Sequence, residues 1–173
     1  MSLLPTWHGI QINKHPNDLW AMQEILFRTR PSLVIECGTG YGGSAFYFAH
    51  LMDLMDYGRV ITVDHQPLHC PYHSRITYLR GDTTDSRPFD RQARIMVILD
   101  SDHSAEHVTR ELTIYAPLVS PECYVIVEDT DHAGPQEAVE KFLPDHPEFE
   151  IDRTCERFGF THNPGGYLRR RHE

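Results

Sequence analysis

The stretch "VIECGTGYGGS", residues 34–44, leaves a β-branched apolar run, crosses four glycines within six residues and enters a helical pattern. "LVIEC", residues 33–37, reads as a strand buried in the interior and closed by the glycines. "GSAFYFAHLMDLM" then places Ala45, Phe48, Met52 and Met55 at helical spacing. A tight turn needs one or two glycines. Gly38, Gly40, Gly42 and Gly43 exceed that need, and glycines between a strand and a helix let the backbone approach a ligand where free N–H groups and the positive end of the helix dipole already point. The expectation is a ligand-binding strand–loop–helix unit, which makes the fold α/β.

The rest of the chain repeats the alternation. "NDLWAMQEILFRT" carries Leu19, Met22 and Leu26 on one face, with Asn17 or Asp18 available as N-cap. "RVITVD", "RITYLRG", "RIMVILD" and "CYVIVED" are further buried strands. "SAEHVTRELTIYAPL" and "PQEAVEKFL" are amphipathic helices, the second with Pro135 in its first turn. "FEIDR" and "GYLRR" are expected to close the chain as an antiparallel pair. Apolar strands alternating with helices imply a doubly wound, mostly parallel sheet covered on both faces. The expectation is one domain over residues 1–173, with residues 1–30 an extended entry segment and first helix and residues 31–173 the Rossmann-like core. His65, His69 and His73 would align on a helix as metal ligands. Pro67 and Pro71 break such a helix, so this segment is expected to be a loop.

"GTGYGG" also satisfies the loose dinucleotide fingerprint G-x-G-x-x-G. Glu36 separates the two readings. A carboxylate there repels a pyrophosphate but suits an aminoacyl ammonium. Asp64, ending the second strand of the core, can accept from a ribose diol. An acid, a glycine loop and a second acid fit S-adenosylmethionine better than a nicotinamide dinucleotide. Asp82, in "RGD", either approaches the adenine or caps a turn.

"VILDSDHS", residues 97–104, ends a strand in Asp100, Asp102 and His103, and "YVIVED" ends the next in Glu128 and Asp129. In a doubly wound sheet ligands bind beyond the carboxyl ends of the strands, so Asp100, Glu128 and Asp129 should converge. Two carboxylates about 4 Å apart repel by roughly 4 kcal/mol at an effective dielectric of about 20. Three such groups call for a proton, a basic partner or a cation; the cation is the reading favoured here, and an all-oxygen set suits Mg²⁺, Ca²⁺ or Mn²⁺ over zinc. Asp102 and Asp131 read as caps. His103, three residues after Asp100, is placed to act as general base on a hydroxyl that the metal holds.

Composition narrows the partners. The chain has 173 residues, 40% hydrophobic and 24% charged, with a net charge of −9 and two lysines, Lys14 and Lys141, among sixteen basic residues. An acidic chain without a basic stripe is a poor binder of nucleic acid or anionic membranes. No apolar run approaches the roughly 18 residues of a membrane span. The four cysteines are far apart, without a C-x-x-C pair, and no signal peptide opens the chain. A cytoplasmic protein is expected.

With those residues in view, the chain resembles the cephalosporin hydroxylase family of class I methyltransferases. The motifs are "TWHG" with "HPNDLWAMQEIL", "VIECGTGYGGSA", "GRVITVD", "ILDSDHSAEHVTREL" with "YAPLV", "YVIVEDT" and "THNPGGYLRR". The resemblance implies a metal-dependent O-methyltransferase acting on a hydroxylated small molecule, a sugar or natural-product diol. It implies cofactor contacts from Glu36, Gly38, Gly40, Gly42, Gly43, Ser44, Asp64 and Asp82, metal ligation by Asp100, Glu128 and Asp129, and a base at His103. It further implies a homo-oligomer. The chain starts almost at the first shared motif, so the N-terminal cover of larger relatives is expected to be missing and a partner subunit to supply it. Trp7, Tyr41, His132 and Tyr167 are candidates for the acceptor pocket. Two other expectations stand beside this one: a nicotinamide-dependent oxidoreductase on the same fold, and a non-catalytic cofactor-binding subunit.

Overall fold

A computed structural model of the chain describes residues 5–66, 69–85, 89, 90 and 92–172. The entry segment is more ordered than the expected extended run. β1 (Thr6–Trp7) and β2 (Ile10–Gln11) form a short antiparallel hairpin. Its two-residue turn is His8 (φ +48°) and Gly9 (φ +81°), the paired positive φ of a hairpin turn whose twist matches its strands. α1 (Pro16–Thr29) follows. Its N-cap is His15, whose Nδ1 accepts from the Asn17 N–H at 3.2 Å, and not Asn17 or Asp18. Pro16 at the first helical position has no N–H to lose. Asp18 is instead buried, accepting from the Thr161 hydroxyl, the His162 N–H (3.1 Å) and the Tyr167 hydroxyl (2.8 Å), which ties α1 to the far end of the chain.

The core then runs β3 (Leu33–Cys37), α2 (Gly43–Met55), β4 (Arg59–Asp64), β5 (Ile76–Arg80), β6 (Ile95–Leu99), α3 (Ala105–Tyr115), β7 (Tyr124–Val127), α4 (Ala133–Phe142), β8 (Phe149–Ile151) and β9 (Tyr167–Arg170). The seven-stranded sheet has the order β5-β4-β3-β6-β7-β9-β8. The first five of these strands are mutually parallel; β9 pairs antiparallel with both β7 and β8. Every residue of β3, β6 and β7 is buried, the pattern of strands covered on both faces. α1 packs with α2 and α3 with α4. Because the winding reverses between β3 and β6, right-handed crossovers put the two helix pairs on opposite faces. Fully buried Phe48, Met52, Ile35, Val97, Leu112 and Ile126 belong to the resulting core, each worth roughly 1.5–3 kcal/mol when removed from water. The four cysteines are free thiols. His65, His69 and Pro71 lie on a loop as expected, while Pro67 falls outside the described residues.

Parallel pairing continues past the strands. Gly38 N–H donates to Val63 O (2.8 Å), Asp100 N–H to Cys37 O (2.8 Å) and Glu128 N–H to Leu99 O (3.0 Å). Register alone therefore brings the end of each strand level with the next. The close approach has a steric condition at Gly38, at φ +95°, where an added Cβ would lie 1.8 Å from the Asp100 carbonyl oxygen. Gly40, at φ +49°, has open space around the same position.

Gly38→Ala is expected to lower stability by about 3 kcal/mol through overpacking, and Gly40→Ala by about 1 kcal/mol from its left-handed backbone alone. Urea unfolding of the two variants measures both; equal costs would contradict the packing role of Gly38.

Candidate active site

Beyond the carboxyl ends of the central strands lies a cavity of about 520 Å³, within the size range of small-molecule sites. One wall is the glycine loop, reached by Gly38, Thr39, Gly40, Tyr41, Gly43 and Ser44. Asp64 anchors it from below. Its Oδ2 accepts from Thr39 N–H (2.9 Å) and Gly40 N–H (3.1 Å), and its Oδ1 from Gln66 N–H (2.8 Å). Burial works against this carboxylate, but the three backbone donors outweigh it and hold Asp64 below the usual range. Asp64 thus shapes the loop, and it retains lone pairs for a diol.

The loop glycines divide by role. Gly38 makes room for the Asp100 carbonyl, and at Gly43 an added Cβ would meet Gln11 O at 2.1 Å. Gly42 abuts Cys70, with Sγ 3.2 Å from the same built position, and does not line the cavity. Of the four, Gly40 alone has its Cβ direction open. Two of the four glycines therefore serve backbone packing, which the count of glycines concealed.

Glu36 also differs from the expected arrangement. It is fully buried and stands behind the wall, donating no surface to the cavity. Ser44, which does line the cavity, donates to Glu36 Oε1. Glu36 Oε2 is buried without a hydrogen-bond partner among the described residues. Burial pushes this carboxyl upward despite the opposing charge of Lys14. Asp82 lines the cavity and caps a turn at the same time, its Oδ1 accepting from Thr84 N–H (2.8 Å) and Oγ1 (2.7 Å).

At the other side of the cavity the acidic strand ends meet. One oxygen each of Asp100 and Asp129 and a ring nitrogen of His103 lie within 4.8 Å of one another. His103 Nε2 is 3.5 Å from Asp100 Oδ1 and 3.2 Å from Asp129 Oδ2. Asp129 adopts φ +53°, a conformation Asp tolerates better than most residues. Its N–H is held by the side-chain oxygen of buried Asn163 at 2.9 Å. His103 is placed by packing: Gly134, near the start of α4, admits the His103 carbonyl to 2.1 Å from where a Cβ would sit. Asp102 caps the intervening turn, accepting from Ser104 N–H at 2.8 Å, and Ser104 is the N-cap of α3. Asp131 does not cap a helix; it pairs with His162 Nδ1 at 2.7 Å.

Glu128 does not join Asp100, His103 and Asp129 in this arrangement. Its Oε1 lies 2.6 Å from Lys14 Nζ, and Asp100 Oδ2 lies 2.6 Å from the same ammonium. Burial alone would pull the Lys14 pKa down, but Asp100, Glu128 and Glu36 reverse the direction, and the ammonium stays charged. Burial pushes Glu128 well above the usual carboxylate range, whereas Lys14 overcomes burial at Asp100 and lowers it. Sequence reasoning missed Lys14 and Asn163. Lys14 had left a signal, being one of only two lysines in an acidic chain.

The carboxylates of Asp100 and Asp129 that meet there fit a hard divalent cation, and Glu128, preceding Asp129 at the end of β7, is a third carboxylate held by Lys14. The open glycine loop, Ser44, Asp64 and the orphaned oxygen of Glu36 fit a ligand with a cationic amine and a diol. Of the four acceptor-pocket candidates, Tyr41 lies on the cavity wall. Trp7 packs edge-on against Tyr47 (5.0 Å), His132 lies 6.3 Å from His103 between ring centroids, and Tyr167 is buried on Asp18.

His103 is raised above its ordinary value by its hydrogen bond to Asp100 and by the charge of Asp129, against the effect of burial. A raised imidazole contributes stability fully below its unfolded value of about 6.5 and loses it as pH rises through the folded value. In EDTA, the stability gap between wild type and His103→Asn should therefore shrink with rising pH over that window. Unfolding titrations at several pH values measure it, and a gap that widened with pH would contradict the ion-pair geometry.

Comparison with known proteins adds three findings. A family described as "Rhamnosyl O-methyltransferase/CmcI" matches residues 2–171. The rhamnosyl O-methyltransferase of Mycobacterium tuberculosis (strain ATCC 25618 / H37Rv) is 36% identical over 188 aligned positions, covering 94% of this chain and 77% of that protein. Among solved structures, "CmcI-N160 apo-structure" superposes with a TM-score of 0.78 at 24% identity, covering 98% of this chain and 77% of that one. "cmcI-D160 Mg-SAM" gives 0.73 at 22% identity, covering 96% and 76%. At these identities the structural likeness speaks for the doubly wound fold. No helix among the described residues is long and apolar enough to cross a membrane.

Proposed function

The chain belongs to the rhamnosyl O-methyltransferase/CmcI family and is on that ground an O-methyltransferase; we propose that it methylates a sugar hydroxyl, with S-adenosylmethionine as donor and a divalent ion, Mg²⁺ or Mn²⁺, at the acidic strand ends. The observation that carries the metal reading is the meeting of Asp100, His103 and Asp129 at one side of the cavity whose other wall is the glycine loop. Relatives named as rhamnosyl O-methyltransferases support a sugar as acceptor, and the methyltransferase matches favour this reading over a nicotinamide enzyme or a non-catalytic subunit.

When bound, the donor supplies a sulfonium methyl group, and the cation acidifies the acceptor hydroxyl and fixes its direction. The chain's own residues do the rest. Asp100 and Asp129 would hold the cation, with Glu128, engaged by Lys14 in this structure, as a third carboxylate. Gly40, Ser44 and Asp64 would seat the donor, with Glu36 behind Ser44 accepting the hydrogen bond that orients its hydroxyl. His103 faces the cavity and takes the hydroxyl proton at Nε2. Neutralising the two carboxylates that raise the imidazole frees it to act as a base near neutral pH. Enclosure by the glycine loop orients both partners, where most of the acceleration from positioning originates.

Asp100→Asn and His103→Ala should each lower methyl transfer at least 100-fold, while S-adenosylhomocysteine binding survives within a few-fold. Asp100→Asn should also lose Mn²⁺ binding, and His103→Ala should keep it. Radiolabel transfer to a rhamnoside acceptor and calorimetric titration read the separate effects. Normal turnover in either variant would contradict the roles, and loss of Mn²⁺ affinity in His103→Ala would make His103 a ligand instead of the base.

A further inference from the structure

Lys14 is the group for which the methyl-transfer scheme has no use. It lies on the segment between β2 and α1, its side chain is 1% exposed, and its ammonium touches Asp100 and Glu128 at 2.6 Å each. These contacts join residues 86 and 114 positions apart in the chain. The ammonium occupies the position between the two carboxylates that a shared divalent ion would require. Asp100 divides its oxygens, Oδ2 to Lys14 and Oδ1 toward His103. Glu128 gives Oε1 to Lys14 and is 4% exposed, so in this arrangement it has no oxygen placed beside Asp129 and His103.

We propose that Lys14 is a resident counter-cation that a divalent ion displaces from Asp100 and Glu128, so that metal loading frees Glu128 as a ligand and releases the Gln11–His15 segment. The proposal rests on the metal reading above. A strongly hydrated divalent ion needs its carboxylate oxygens about 2.0–2.6 Å away, and an ammonium bound to those same oxygens competes with it directly. The segment that would move is part of the site. Gln11, Asn13 and Lys14 line the cavity, and Gln11 O and Ile12 Cγ1 press on the start of α2 at Gly43, 2.1 and 2.7 Å from its built Cβ position. Release at Lys14 is therefore transmitted to the glycine loop through backbone contact, coupling the metal side of the cavity to the donor side.

Mn²⁺ titration of wild type, Lys14→Met and Asp100→Asn, followed by electron paramagnetic resonance, tests this. Lys14→Met should bind Mn²⁺ at least tenfold more tightly than wild type, and Asp100→Asn should lose the site. Unchanged or weaker binding in Lys14→Met, with the Asp100 dependence intact, overturns the displacement and leaves the metal reading standing. Mn²⁺ binding indifferent to Asp100→Asn overturns both. Should Lys14→Met fail to fold, hydrogen exchange of wild type decides. Amides of residues 11–15 should exchange several-fold faster in saturating Mg²⁺ than in EDTA, and unchanged or slower exchange overturns the proposal.

Discussion

The buried ammonium of Lys14 ties the entry segment to the paired ends of β6 and β7, where Asp100 and Glu128 both contact it. Removing one partner from such a buried pair typically costs about 3–5 kcal/mol, because the charges left behind have neither solvent nor counter-ion. Here two carboxylates depend on one ammonium. The ion pairs fix Asp100 so that one oxygen faces His103, and they hold the Gln11–Lys14 segment over the cavity. Much of the site's geometry follows from that single charge.

Backbone packing supplies the remaining precision. Parallel register carries Gly38, Asp100 and Glu128 to adjoining levels, with each N–H taken by the neighbouring strand. Gly38 then allows the Asp100 carbonyl to pass, and Gly134 does the same for His103. Asn163 holds Asp129 in its left-handed conformation from the loop before β9. The groups assigned to the chemistry are thus placed by glycines and an amide that contact no reacting atom. Substitutions there act on the reaction by displacing its residues.

The alternation of strands and helices was legible because each central strand is buried on both faces and each helix shows a clear apolar stripe. The acids were legible too, since a carboxylate at the end of a parallel strand is delivered to the cavity by register alone. What the sequence hid was long-range and directional. Glu36 and Asp64 were both expected at the ligand, yet Glu36 lies behind Ser44 and Asp64 spends two backbone contacts on the loop. Glu128 was expected beside Asp129 and points to Lys14, 114 residues away. No local pattern encodes which way a carboxylate turns when cations approach from opposite sides. The hairpin turn at His8 and Gly9 was missed because a His at positive φ gives little local warning.

The central claim is methyl transfer to a sugar hydroxyl that depends on a divalent cation at the acidic strand ends. The most direct measurement follows a labelled methyl group from S-adenosylmethionine to a rhamnoside acceptor, in Mg²⁺ and again after exhaustive chelation. The account predicts an ether-linked product formed in Mg²⁺, abolished by EDTA and restored by re-addition. Equal rates with and without the cation would contradict it.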